Sequence, residues 1–352
     1  MQPTLLAKIY SRPPLAGYDQ KLGWMAANPP DDPTHAQGHA SIAWPRDLIY
    51  DEQRRLVGYV MAYVQNAAPI LTVFNPRLRT RTLPNFDHRY LYRTARNLAA
   101  ALGALHASNY VVGDLNESNV MVTPSALVTL IDTDSFQVQR RAGAKPVLHP
   151  CPVGKPEYTP PELQGKSFQH TARLPEHDRF GLAVLIFQLL MEGNHPFRAQ
   201  WLGAGDPPPI EARIRDGGWP YAPTAYLLAP PRYTPGLNTL PPPVVDLVRH
   251  CFVEGHRDPR QRPAPHEWER ALAEAEKALM PCGRGHYYPN HLRECLQCQA
   301  QQAQQARRPT NESAQSGLLH EHAQPASPFS SARPWPYRRL FSIGFSLLRS
   351  VL

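Results

Sequence analysis

Residues 177–193, HDRFGLAVLIFQLLMEG, place apolar side chains on every face of a helix. A surface helix needs only an apolar stripe, so a helix of this kind must be enclosed at the centre of a large domain. Its best apolar run, Leu182–Met191, is ten residues long, about half of the ~20 that a bilayer requires, so protein rather than lipid should surround it. Asp178 stands near its start and Gly193 at its end. Two more helices can pack around it. Leu91, Ala95, Leu98, Leu102 and Leu105, spaced 4, 3, 4 and 3, form one buried stripe over roughly 87–108. APHEWERALAEAEKAL is amphipathic, with Pro265 in its first turn. Short β-branched or aromatic runs at Leu5–Tyr10, Leu56–Val64, Val120–Val122 and Val128–Ile131 read as strands. Proline fills 40 of 352 positions, about twice the usual ~5%, which predicts long loops between these elements. The fold class expected is α+β.

Lys and Arg number 37 against 29 Asp and Glu, a net charge of +8. Residues 299–352 hold six Arg and two Glu and so carry half of that excess. No recognition motif accompanies the charge there, and nucleic-acid binding is not expected. This tail turns to QAQQAQQARR and then to Ser, Pro and Ala, a composition that predicts disorder. Its last stretch, WPYRRLFSIGFSLLRSVL, has only three Arg beside its apolar residues and reads as a short helix or frayed end before a membrane-contacting segment. Met1–Tyr10 lacks a long apolar run and a cleavage motif, so a cytoplasmic chain is expected.

Of five cysteines, Cys282, Cys295 and Cys298 cluster in CGRGHYYPNHLRECLQC. With His286, or His291 as the alternate, they offer four ligands for a closed tetrahedral Zn²⁺ of structural type, against the plainer reading of a free-thiol segment. Cys151 and Cys251 read as ordinary buried or loop cysteines.

VVGDLNESNVMVTPSALVTLIDTDSF carries the chemistry. Asp114 and Asn119 are five apart, and Asp132 follows Asn119 by thirteen residues, after a turn at Thr123–Ala126 and a strand. A carboxylate, a metal-binding amide and a second carboxylate returned by a hairpin are the parts that phosphoryl transfer from ATP requires. GKPEYTPPEL (154–163) resembles the GTPEYLAPE element of protein kinases. Asp178 resembles the aspartate that heads their central helix. Arg262 in RQRP resembles the arginine paired with Glu162, and Lys8 in LLAKIY resembles the ATP-binding lysine. Over roughly residues 4–280 the chain resembles bacterial Ser/Thr protein kinases of eukaryotic type. Its GDLNESNV, IDTDSF and NHPF wording resembles those grouped with a von Willebrand-A protein and a PP2C-like phosphatase.

That resemblance implies a bilobal protein-kinase-like fold. Residues 1–64 would be a partial N-lobe and 65–280 a mostly helical C-lobe, followed by a zinc-knuckle-like segment at 281–299 and the tail 300–352. It implies Mg and ATP as cofactors and a protein substrate. Lys8 would hold the α/β-phosphates, with Met61 and Val64 bounding the adenine hinge. Asp114 would be the catalytic carboxylate, and Asn119 and Asp132 the Mg²⁺ ligands. Glu162 and Arg262 would form a buried ion pair, and Asp178 would hold the catalytic loop.

Several positions depart from the family pattern. Val112-Gly113 replaces the usual His-Arg before the aspartate, which implies activity without phosphorylation of the activation segment. Asn116 stands where Ser/Thr kinases carry a lysine and Lys155 where they carry a threonine, so the Lys155 ammonium is expected either to substitute at the phosphoryl group or to be a solvated loop lysine. Thr133-Asp134 replaces Phe-Gly, and Asp134 is read as a turn residue in preference to a second metal ligand, because the thirteen-residue spacing points to Asp132. The helix after Lys8 should begin near Tyr18 and end before Pro29, with Asp19 or Gln20 in the place of the lysine's usual glutamate. No G-x-G-x-x-G occurs, and seven residues precede Lys8, so the coding start is expected to lie further upstream. The competing readings are a pseudokinase that binds nucleotide or protein, and a small-molecule kinase, against which GKPEYTPPEL argues.

Overall fold

The computed structural model describes residues 4–143, 145–232 and 234–306. The fold is mixed α+β, with an open sheet near the N-terminus and a mostly helical remainder. β1 (Leu5–Ile9), β2 (Asp47–Tyr50) and β3 (Leu56–Ala62) form an antiparallel sheet in the order β1-β3-β2. Its register sets Lys8 opposite Tyr59. Side chains alternate along a strand, so Lys8 and Tyr10, two residues on, share one face with Tyr59. The chain enters α1 (Tyr18–Ala27) through Gly17 at φ 82°, a left-handed conformation that glycine adopts without penalty. Lys21, Leu22 and Met25 are the buried residues of α1, one inward stripe of a helix.

β4 (Ala68–Pro69) leads into α2 (Ile70–Phe74). Asn75 caps α3 (Pro76–Thr82), accepting from the Arg77 and Leu78 amides. Asp87 caps α4 (His88–Ala107) in the same way from the Arg89 amide, and the five apolar positions of the expected stripe are all buried. β5 (Val120–Val122) and β6 (Val128–Leu130) pair as a hairpin, which β4 extends to three strands. β7 (Val138–Ala142) pairs with β8 (Lys145–His149). In α5 (Pro175–Leu190), 13 of 16 residues are buried, as an all-apolar helix demands. β9 (Gln200–Trp201) pairs with β10 (Leu228–Ala229) around α6 (Ile210–Arg215). α7 (Pro242–Arg249) widens into a π turn at His250–Glu254 and continues as α8 (Gly255–Arg257). α9 (Pro265–Lys277) packs along α4, where the Arg93 guanidinium grips Glu276 Oε1 at 2.8 and 2.6 Å. A hairpin of β11 (Leu279–Pro281) and β12 (Tyr287–Pro289), then α10 (Leu296–Ala306), complete the described chain.

The prolines do more than lengthen loops. Pro76, Pro175, Pro242 and Pro265 each open a helix, where the missing N–H has no partner to lose. The change to Gln and Ala at 299 falls inside α10, because both residues are good helix formers. The rest of the tail, including its basic apolar end, lies outside the described residues. Among the described residues no helix is long and apolar enough to cross a membrane.

The C-terminal core closes on Phe252 in the π turn. Its ring lies 5.7 Å from Phe180, 6.4 Å from Phe187, 5.5 Å from Phe197 and 6.1 Å from Trp219. Phe252→Ala should therefore destabilise the protein by about 3–5 kcal/mol in urea unfolding, because α5 and α7 cannot both relax into the cavity.

Candidate functional site

The loop that carries Asp114 hangs from α5. Asp178 is 1% exposed at its side chain. Its Oδ2 accepts from the Val112 amide and its Oδ1 from the Gly113 amide, each at 2.8 Å, and His106 Nε2 lies 3.0 Å from Oδ2. Gly113 has φ 75°, and a Cβ there would run into Cys151, so only glycine fits. Arg173, 3% exposed, bonds the Gly113 and Val153 carbonyls at 3.1 Å each and stacks 3.7 Å from the Phe168 ring. Gln137 meets the Arg173 main chain on both sides, accepting from its amide and donating to its carbonyl. Segment 151–155 is thereby tied to the Asp114 loop by an arginine already in the chain.

Asp114 is surrounded by neutral donors. Asn116 Nδ2 donates to its Oδ1 at 2.7 Å, Asn119 Nδ2 to its Oδ2 at 3.3 Å, and the Lys155 amide to its Oδ1 at 3.2 Å. Burial pushes the Asp114 carboxyl above its ordinary pKa, with these hydrogen bonds acting in the other direction. The Lys155 ammonium points elsewhere. It pairs with Glu117 Oε1 at 2.7 Å and Ser118 Oγ at 2.6 Å, so its amide, and not the expected charge, reaches Asp114.

The β5–β6 hairpin sets Asn119 beside Asp132. Val120 pairs with Leu130, and the Ile131 amide donates to the Asn119 carbonyl at 2.9 Å. Asp132 adopts φ 60° and opens a short 3₁₀ turn, Thr133–Ser135. Lys8 Nζ lies 2.5 Å from both Asp132 Oδ1 and Asp134 Oδ1. Burial lowers the pKa of this ammonium, and Asp134 and Asp132 together more than reverse that, leaving it above its ordinary value.

Sequence reasoning missed the residues around Asp134. Asp134 does sit in a turn, but it is 4% exposed and its carboxylate is fully engaged. Tyr10 and Tyr59 hydroxyls donate to it at 3.0 Å each, while Tyr18 Oη and Lys21 Nζ donate to its carbonyl at 2.7 and 2.6 Å. Burial first, and then the nearby carboxylates, raise all three tyrosine pKa values, so these hydroxyls remain donors. Asp19 and Gln20, expected to face Lys8 from α1, are exposed instead. Lys21 occupies the inward position, and burial draws its pKa down to about 8. The signal was available: Tyr18, Lys21, Leu22 and Met25 fall on one helical face, and no acid does.

Met61 is buried in β3. Val64, just beyond the strand, lines a groove of about 1030 Å³ with Thr4, Trp44 and Arg46. Glu162 and Arg262 form a two-pronged pair at 2.7 and 2.6 Å, and Arg262 also donates to the Gly255 and Glu176 carbonyls at 3.0 Å. Cys282, His286, Cys295 and Cys298 form a metal-binding cluster whose donor atoms all lie within 4.8 Å of one another. The Cys282–Cys298 sulfur separation is 3.8 Å and the Cys298 Sγ–His286 Nδ1 separation 3.4 Å. Arms of ~2.3 Å for sulfur and ~2.0 Å for nitrogen give tetrahedral edges close to both values. His291 is taken up by the Asn238 carbonyl at 3.0 Å, which leaves His286 as the fourth donor.

No family model matches the chain. Over 300 residues, 83% of this chain, it is 35% identical to protein kinase YegI of Escherichia coli (strain K12), and equally so to protein kinase YegI of Escherichia coli O157:H7. The similarity is thus to bacterial proteins named as protein kinases. The chain spans 45% of the length of each of these relatives.

The Glu162–Arg262 pair gives a stability test. Arg262 has a side chain of 0% exposure, so Arg262→Ala strands a half-buried carboxylate and should cost about 3–5 kcal/mol in urea unfolding. Burial acts to raise the Glu162 pKa, and Arg262 overcomes it to leave the value below the ordinary 4.5. The unfolded chain therefore binds the proton first as pH falls. Stability from this group is complete above about pH 4.5 and drains away below it, so Glu162→Gln should flatten the acid limb of the stability–pH curve.

Proposed function

We propose that the chain is a Ser/Thr protein kinase that transfers the γ-phosphoryl group of Mg-ATP to protein hydroxyls. The observation that carries the proposal is the ion pair from Lys8 to Asp132, 124 residues apart in sequence, at 2.5 Å. It brings a cation on the open sheet to the hairpin that also presents Asn119 and, through it, Asp114. The residues suit a divalent cation. Asn119 spends its Nδ2 on Asp114, which leaves Oδ1 without a donor among the described residues, and the Asp132 side chain is 30% exposed. Asn119 and Asp132 would hold Mg²⁺, which when bound neutralises charge on the β- and γ-phosphates. Lys8 would bind the α/β-phosphates, and Met61–Val64 would border the adenine.

Asp114 would take or orient the proton of the substrate hydroxyl. Its raised pKa makes it a better acceptor than a solvated aspartate. Arg173 already joins the Asp114 loop to segment 151–155, which supports activity without phosphorylation of that segment. Resemblance extends the proposal to a von Willebrand-A protein and a PP2C-like phosphatase as partners. A second reading, a pseudokinase that binds nucleotide without transfer, is favoured by one observation: the Lys155 ammonium is committed to Glu117 and Ser118.

Calorimetric titration with Mg-ATP and transfer of labelled phosphate to a generic protein substrate separate the two readings. Asp114→Ala should bind Mg-ATP nearly as wild type does while losing transfer by about 10³-fold. Asp132→Ala should lose both, and prior phosphatase treatment of wild type should leave the rate unchanged. Binding without any transfer would select the pseudokinase, and absence of Mg-ATP binding would overturn both.

We also propose that the Cys₃His cluster holds Zn²⁺ as a structural ion, since four protein donors leave no open position. Native mass spectrometry should find one zinc per chain, and Cys298→Ser should abolish it. Stripping the metal with a chelator should lower the Tm by roughly 5 °C, because the ion binds only the folded state.

A further inference from the structure

We propose that Asp134, and no acid on α1, is the positioning residue for Lys8, retaining the ammonium when a divalent cation takes Asp132. This rests on the kinase reading and adds to it the residue that holds the phosphate-binding lysine.

The two carboxylates on Lys8 differ in access. Asp132 has a side chain 30% exposed, whereas that of Asp134 is 6% exposed. An incoming cation can therefore reach the first and not the second. Once it binds Asp132, that carboxylate no longer offers net negative charge to an ammonium, and Lys8 would be free to swing. Asp134 prevents this. An ammonium has three donors; with Asp132 given up, one stays on Asp134 and two can face phosphate oxygens.

Asp134 is itself immobilised from both neighbouring elements. Tyr10 Oη bonds its Oδ2 and Tyr59 Oη its Oδ1, both at 3.0 Å and both from the sheet face that bears Lys8. Tyr18 and Lys21, one turn apart on α1, hold its carbonyl at 2.7 and 2.6 Å. The only acid on α1, Asp19, is exposed. Lysine and metal-binding aspartate are thus linked through a residue two positions from the latter, with α1 contributing donors in place of a carboxylate.

A double-mutant cycle read by calorimetric Mg-ATP binding tests this, with thermal melts to confirm folding. Asp134→Asn should weaken Mg-ATP binding by about 10-fold in the wild-type background and by less than about 2-fold on top of Lys8→Met, because the residue acts through Lys8. Equal losses in the two backgrounds would mean a purely structural role and overturn the proposal. If Asp134→Asn does not fold, Tyr10→Phe takes its place, with an expected loss of about 3-fold that vanishes in Lys8→Met. No Mg-ATP binding by wild type would overturn the kinase reading and this proposal together; binding with additive losses would overturn this proposal alone.

Discussion

A carboxylate almost fully removed from water must find hydrogen-bond donors for its oxygens, and Asp178 sets the geometry of the site on that condition. It sits in the first turn of α5, the helix that the rest of the C-terminal part encloses. Its oxygens take the Val112 and Gly113 amides, so the loop before Asp114 cannot move without exposing or orphaning that charge. The apolar helix supplies rigidity, and one polar residue at its end transmits it to the chemistry. Gly113 follows from the same constraint, since a backbone pulled this close to α5 and Cys151 leaves no room for a Cβ.

From that anchored loop, order spreads outward through the hairpin. Asn119 is tied to Asp114 by its side chain and to Ile131 by its carbonyl, so Asp132 and Asp134 emerge at a defined place. Lys8, Tyr10, Tyr18, Lys21 and Tyr59 then gather on the turn that bears Asp134. Five donors on one buried residue are costly to misplace, because each lost bond leaves a polar group stranded. The turn that bears Asp134 is thus one of the places where the open sheet and α1 are fixed to the C-terminal part, beside the Ile42–Leu130 bridge and the Tyr110 hydroxyl on the Asn28 carbonyl.

The large periodic elements were legible in the sequence because each has a simple physical rule behind it. The 4-3-4-3 stripe of α4 and the strands β1, β3, β5 and β6 appear within one or two residues of their expected bounds, and the enclosed α5 within three. The short pairings β7–β8 and β9–β10 were not read. Strands of two to five residues with exposed, charged or proline positions carry no alternation to detect. The meeting of Asp114, Asn119 and Asp132 around one hairpin was legible from spacing. Asp134 was not, because a second aspartate in a turn normally means solvent. Only the three-dimensional meeting of Lys8, Tyr10 and Tyr59 shows that it is buried. Lys21 was missed for the complementary reason: a lysine in a polar helix segment is ordinarily exposed.

The contrast between Lys155 and Asn116 bears on how Asp114 could work. An ammonium placed directly on Asp114 would favour its charged form and depress its basicity. Here the partners are two carboxamides and one peptide N–H, and burial is the dominant influence, so the carboxylate remains comparatively basic. The nearby positive charge is retained but paired with the Glu117 carboxylate and hydrogen-bonded to the Ser118 hydroxyl. An acceptor tuned by neutral donors relies on orientation more than on charge, and orientation is what Asp178, Gly113 and Arg173 enforce.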